Sequence, residues 1–328
     1  RVFKNINSTW TQIGSDIDGE AAGDNFGKSV ALSNDGSLIA IGAKYTKGEN
    51  KINSGYVKIF KDTNGVWNQI GNNIEGESEG DSFGGYTTSL SLSDDGQIVA
   101  ISGPKNDGNG IDSGHVRVFK NINSTWTQIG SDIDGEAEGD YSGLNGNLKL
   151  SDDGSTLAIG APGNDGNGIA SGHVRVFKNI NNTWTQVGSD IDGEAAGDQA
   201  NNISISGDGS VIAIGANLND GNGIDSGHVR VFKNINSTWT QIGSDIDGEA
   251  AGDNFGKSVA LSNDGSLIAI GAKYTKGENK INSGYVKIFK DSNGVWNQIG
   301  NNIEGESEGD SFGGYTTSIS LSDDGQIV

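Results

Sequence analysis

The sequence predicts an all-β fold, a six-bladed β-propeller of four-stranded antiparallel blades, with the ring closed by a composite blade built from both termini. Three observations predict it. A basic-apolar-Phe triplet recurs at Arg1-Val2-Phe3, Lys58-Ile59-Phe60, Arg117-Val118-Phe119, Arg175-Val176-Phe177, Arg230-Val231-Phe232 and Lys287-Ile288-Phe289, with spacings of 57, 59, 58, 55 and 57 residues. One Trp follows each triplet at a near-fixed distance, namely Trp10, Trp67, Trp126, Trp184, Trp239 and Trp296, which uses all 6 in the chain. Within a repeat the apolar residues alternate or cluster briefly between Gly, Asn and Asp, and no helical period appears.

Each element of the repeat follows in order. Ser29-Val30-Ala31-Leu32-Ser33 alternates branched apolar with small residues, as a half-buried strand does. Asn34-Asp35-Gly36 supplies a tight hairpin turn in which Gly takes the positive φ that other residues resist. Leu38-Ile39-Ala40-Ile41-Gly42-Ala43 is apolar on both faces and predicts a buried inner strand, its small residues letting neighbouring layers approach. A polar loop leads to the third strand, Tyr56 to Phe60, and a turn to the fourth, Trp67 to Ile70. One such sheet cannot bury both faces alone, so stability must come from stacking sheet on sheet, and radial stacking of four-stranded sheets is a propeller. Each strand type occurs six times: the chain opens on strands three and four and ends on Ser318 to Ser322 and Gln326-Ile327-Val328, strands one and two. Val2 and Phe3 are therefore expected to pair with the strand ending at Val328. The repeats start near 1, 58, 117, 175, 230 and 287 in a single domain spanning 1–328. Residues 1–99 and 230–328 differ only at Thr63 versus Ser292 and Leu90 versus Ile319, so the array was copied as a block, and with no Met in the chain a longer parent array is expected.

Composition removes several functions. With 22 basic and 43 acidic side chains the net charge is −21, which repels nucleic acid and anionic lipid. No apolar run reaches the roughly 18 to 20 residues that cross a bilayer, and no membrane insertion is expected. The absence of Cys removes disulfides, thiolate metal sites and cysteine nucleophiles together.

Phe26-Gly27-Lys28-Ser29-Val30, Gly160-Ala161-Pro162 and Gly172-His173-Val174-Arg175-Val176-Phe177 together resemble the FG-GAP repeat of integrin α-subunit propellers. Phe-Gly recurs at Phe83-Gly84, Phe255-Gly256 and Phe312-Gly313, while the third repeat has Ser142-Gly143 and the fourth Ala200-Asn201. The calcium loop that the resemblance implies between strands one and two is here shortened to Asn34-Asp35-Gly36 or Asp94-Asp95-Gly96, too short to encircle an ion that takes six to eight oxygens. The near-identical copies also resemble the repeat arrays of very large secreted surface proteins and adhesins of the Bacteroidota type.

Chemistry-bearing residues are few. His115, His173 and His228 occupy one repeat position that Tyr56 and Tyr285 fill elsewhere, which predicts a structural strand-edge role and no Ser-His-Asp set. The loop from strand four to the next strand one is the most acidic segment, with the constant core Gly-Glu-x-x-Gly-Asp. Its carboxylates, Asp16, Asp18, Glu20, Asp24, Glu136, Asp140, Glu194, Asp198, Glu249 and Asp253, are the candidate metal ligands. Two readings stay open for them: calcium binding, and solvated turns whose Asp accepts from nearby backbone amides. No organic cofactor is expected. Strand alternation puts these loops and the strand-two-to-three loops, such as Asn106 to Asp112, on one acidic face. Rigid rings that present equivalent loops suit recognition, so the expected function is non-enzymatic: an extracellular adhesion module of a large surface protein, or alternatively a structural block of a surface stalk. The expected partners are a protein or glycan ligand or neighbouring copies of the chain.

Overall fold

The computed structural model describes residues 1–45, 52–87, 89–274, 282–315 and 319–328. A hairpin of β1 (Phe3–Ile6) and β2 (Thr9–Gln12) comes first. The first full sheet then runs β3 (Ser29–Leu32), β4 (Leu38–Ala43), β5 (Tyr56–Asp62) and β6 (Trp67–Gln69), an antiparallel meander. Four further sheets repeat it, opening at Leu90–Leu92, Leu148–Leu150, Asn202–Ile205 and Ser258–Leu261. The fold is all-β and consistent with a β-propeller. The tight turn forms as the sequence predicts, with Gly36 at φ 69°. Asp35 Oδ1 accepts from Ser33 Oγ at 2.7 Å and from the Ser37 amide at 2.8 Å, while Ser33 Oγ accepts the Leu38 amide at 3.0 Å. Ser-x-Asp-Gly is thus a small hydrogen-bonded unit.

Every residue of β4 is buried, because neighbouring sheets press on both of its faces. The Phe-Gly and Gly-Ala pairs make this approach possible. A Cβ on Gly42 would stand 2.0 Å from the Gly84 carbonyl oxygen of the next sheet, and one on Gly215 would stand 2.1 Å from that of Gly256. Phenylalanines close the same joints: Phe119 lies in a core cluster with Leu38, Val57 and Ile59 of the preceding sheet, and Phe177 lies with Val116 and Val118. The six-fold Trp adds a polar tie. Trp67 Nε1 donates to the Ile13 carbonyl at 3.0 Å, and Trp126, Trp184, Trp239 and Trp296 repeat the bond to Ile70, Ile129, Val187 and Ile242. The joints of Phe119, Phe177, Phe232 and Phe289 therefore each have an aromatic plug and one indole hydrogen bond.

The expected closure is not made among the described residues. β1 pairs only with β2, and 319–328 contain no strand, although the Ser322 amide still donates to the Ile327 carbonyl across the last turn. Ser318 lies outside the described residues. Phe3 and Val328 are half exposed. The inner turns nevertheless form a ladder in which each amide donates to the next sheet's turn carbonyl, from Asn34 to Asp94, Asp152, Gly207, Asn263 and Asp323, without a return link to Asn34. The described residues thus hold five complete sheets and the β1–β2 hairpin, with no strand pairing between β1 and 319–328.

Candidate metal centre

The Gly-Glu-x-x-Gly-Asp loops split their two carboxylates between two jobs. The Asp folds back on its own turn. Asp24 Oδ2 accepts the Ala21 amide at 2.8 Å, Asp140 Oδ2 accepts the amides of Glu136 and Ala137 at 3.0 and 2.9 Å, and Asp81, Asp198, Asp253 and Asp310 do likewise. Asp24, Asp81, Asp140, Asp198 and Asp253 are buried, so amide donors are what keep them in place. The Glu instead points across the joint to the third strand of the next sheet, and what it meets there comes in two forms.

At two joints the strand opens with Tyr. Tyr56 Oη donates to Asp24 Oδ2 at 3.0 Å, Lys58 Nζ reaches Glu20 Oε1 at 2.9 Å, and Asn73 Nδ2 donates to the same oxygen at 2.9 Å. Tyr285, Lys287 and Asn302 repeat this around Asp253 and Glu249, with Lys287 Nζ at 2.7 Å from Glu249 Oε1. Burial pushes the Tyr56 hydroxyl up to about 12 and raises Tyr285 as well, so both remain donors at neutral pH.

At the other three joints the strand opens with His, and three groups converge: Glu77, His115 and Asp132; Glu136, His173 and Asp190; Glu194, His228 and Asp245. In each, one donor atom per residue lies within 4.8 Å of the others. Nδ1 of His115 stands 3.8 Å from Asp132 Oδ2, that of His173 stands 3.8 Å from Glu136 Oε2, and that of His228 stands 3.8 Å from both Glu194 Oε2 and Asp245 Oδ2. These separations exceed a hydrogen bond. Neither ring nitrogen of His115 or His173 has a hydrogen-bond partner, nor has Nε2 of His228, and all three rings are buried. Burial, with Arg117 or Arg175 adding to it, holds His115 and His173 down at about 4, and the same causes lower His228, so the imidazoles are neutral at pH 7. Burial, opposed by Arg117 and reinforced by Asp132, raises the Glu77 carboxyl. The arginines are held mainly by backbone: Nη2 of Arg117, Arg175 and Arg230 donates to the carbonyls of Glu75, Asp134 and Asp192 at 2.5 Å.

One neutral imidazole and two carboxylates suit a borderline divalent cation, the zinc type, better than calcium, which takes oxygens only. A tetrahedral ion with bonds of about 2.0–2.2 Å spaces its ligand atoms about 3.4 Å apart, against 3.8 Å for the nearest imidazole–carboxylate pair and up to 4.8 Å within the set. The carboxylates are partly exposed, with side-chain exposures of 45% for Glu77 and 29% for Asp132, so they can close that gap and leave a position open to solvent.

Of the ten predicted ligands, Glu136 and Glu194 belong to these centres, with Asp140 and Asp198 behind them as turn caps. Glu20 and Glu249 are bound to lysines, Asp24 and Asp253 cap turns, Asp16 pairs with Arg1 at 3.0 Å, and Asp18 is exposed. Sequence reasoning missed Glu77, the three histidines and Asp132, Asp190 and Asp245. A signal was present in concerted replacement: each His is followed 17 residues later by Asp, whereas Tyr56 and Tyr285 are followed at the same distance by Asn73 and Asn302.

The FG-GAP repeat family matches residues 16–60 and 245–289. The chain carries FG-GAP repeats. Within the matched segments lie Gly42, which approaches Gly84, and Gly256, which approaches Gly215. Among curated proteins, no sequence matches the chain. Among solved structures it is similar to a periplasmic gluconolactonase of Pseudomonas aeruginosa, with a TM-score of 0.54 and 16% identity over 86% of this chain and 73% of that one. A GH74 enzyme of Niastella koreensis follows with a TM-score of 0.49, 13% identity and coverage of 83% and 38%, and the tricorn protease with 0.46, 9%, 81% and 26%. The expectation was a non-enzymatic adhesion module or, alternatively, a structural block of a surface stalk. The gluconolactonase, an enzyme similar to this chain in fold, corrects that expectation.

Proposed function

We propose that the protein is a metal-dependent hydrolytic propeller whose working centres are the three Glu-His-Asp joints. The observation that carries this reading is the buried imidazole of His115, without a hydrogen-bond partner and facing two partly exposed carboxylates. Three protein ligands with a solvent-facing position is the arrangement of hydrolytic zinc sites, where the ion acts as a Lewis acid and lowers the pKa of a bound water toward about 7. The chain's own residues then have defined parts. The imidazole binds as a neutral ligand, the two carboxylates balance the charge, and Arg117, 3.2 Å from Glu77, fixes that carboxylate and offers a cation to a substrate oxygen. The gluconolactonase supports a lactone as the substrate class by its name and supports a site of action in the periplasm or outside the cell by its location. Among the described residues no helix is long and apolar enough to cross a membrane, which says nothing of strands.

The test is acid release from a panel of aldonolactones and simple esters by the chelator-treated protein reloaded with zinc, cobalt or manganese. Hydrolysis that requires metal and falls at least 100-fold in the combined H115Y, H173Y and H228Y variant is expected. Absence of metal-dependent hydrolysis across the panel would reject the reading.

A further inference from the structure

We infer that the five joints are one site in two states: three hold a divalent cation, and the two tyrosine joints are the same site with a lysine ammonium in place of the ion. This rests on the metal reading above and adds selectivity within one chain. The joints differ by a concerted set of replacements. Where Tyr56 and Tyr285 become His, Asn73 and Asn302 become Asp, and Lys58 and Lys287 become Arg. The partner of the buried turn-capping Asp changes too. At tyrosine joints the phenol donates to it; at histidine joints the amide of Asn106 or Asn219 does so, at 3.4 and 3.0 Å, which leaves the imidazole with nothing to serve there.

Charge separates the two states. At a tyrosine joint Glu20 is neutralised by Lys58 at 2.9 Å and its oxygen also accepts from Asn73, so the set is balanced. At a histidine joint two carboxylates share one arginine, which spends Nη2 on a backbone carbonyl and in two of the three joints stands 3.6 or 3.7 Å from its Glu. That set carries one uncompensated negative charge around a neutral imidazole nitrogen. A cation completes it. At the tyrosine joints the ammonium already sits on the Glu, and no nitrogen ligand is present.

The experiment is the zinc content of the full chain, saturated with zinc sulfate, desalted and measured by mass spectrometry, together with ¹⁵N NMR of the imidazoles. Three zinc ions per chain are expected, with the Nδ1 resonances of three histidines shifted by ligation. The exchanges are chosen from the chain's own repertoire so that folding is kept: H115Y with R117K and D132N should lower the count to two, and Y56H with K58R and N73D should raise it to four. Five ions in the parent chain, or a count unmoved by either exchange, would overturn the inference while leaving metal-dependent hydrolysis intact. Three ions without hydrolysis would instead sink only the hydrolytic reading. No bound zinc would overturn the inference and the metal reading together.

Discussion

His115 and His173 are held well away from the ordinary state of an imidazole by burial. Each is held at about 4 in the fold against 6.5 in the unfolded chain. At pH 7 both states are neutral and nothing is lost. As pH falls below 6.5 the unfolded chain takes up the proton and the fold does not until near pH 4, so stability declines across that window, by about 2 kcal/mol per histidine at pH 5. In chelator, the melting temperature should therefore drop more between pH 7 and pH 5 for the parent than for the combined H115Y, H173Y and H228Y variant; equal drops would place those imidazoles in water. Gly215 gives a second prediction at this level. Its missing Cβ would stand 2.1 Å from the Gly256 carbonyl, a backbone atom that cannot swing aside, so Gly215→Ala should cost about 3 kcal/mol in a denaturant titration. The glycines were legible as spacers between layers, since Gly and Ala interrupt an otherwise bulky strand. The histidines were read from their periodicity alone, which said nothing about the carboxylates they meet.

The joint between sheets is the element that organises everything else. Leu38–Ala43 was legible in its full extent because a strand pressed on both faces is apolar throughout. The metal centre was not, because it draws Glu77 from one repeat and His115 and Asp132 from the next, and only stacking brings these together. Reading one repeat at a time left calcium binding and turns capped by Asp both open for the Gly-Glu-x-x-Gly-Asp carboxylates; the Asp does cap its own turn, while the Glu reaches across to its neighbour, which a single repeat does not show. The Trp position shows the same dependence on stacking. Its indole N–H bonds a carbonyl of the preceding sheet, so Trp239→Phe, which keeps the ring and removes the donor, should destabilise by about 1 kcal/mol. An unchanged denaturation midpoint would mean that the indole tie contributes nothing.

At the level of the whole molecule, a chain of net charge −21 gathers three extra carboxylates at its histidine joints without spending a cation on them, which destabilises the metal-free fold. Zinc at one hundred times its dissociation constant should stabilise the chain by about 2.7 kcal/mol per occupied site, seen as a rise of several degrees in melting temperature. Calcium at the same concentration should give a much smaller rise, because the imidazole is a poor ligand for it. The repeat architecture was legible at this level, since each repeat carries the same strand order that the five complete sheets show.

The most direct measurement is anomalous diffraction at the zinc absorption edge from crystals of the full chain grown with zinc. Three peaks are expected, each about 2.0–2.2 Å from Nδ1 of His115, His173 or His228. Peaks at the tyrosine joints of Glu20 and Glu249, peaks confined to the aspartate turns, or no peaks at all would contradict the assignment of the histidine joints as metal centres.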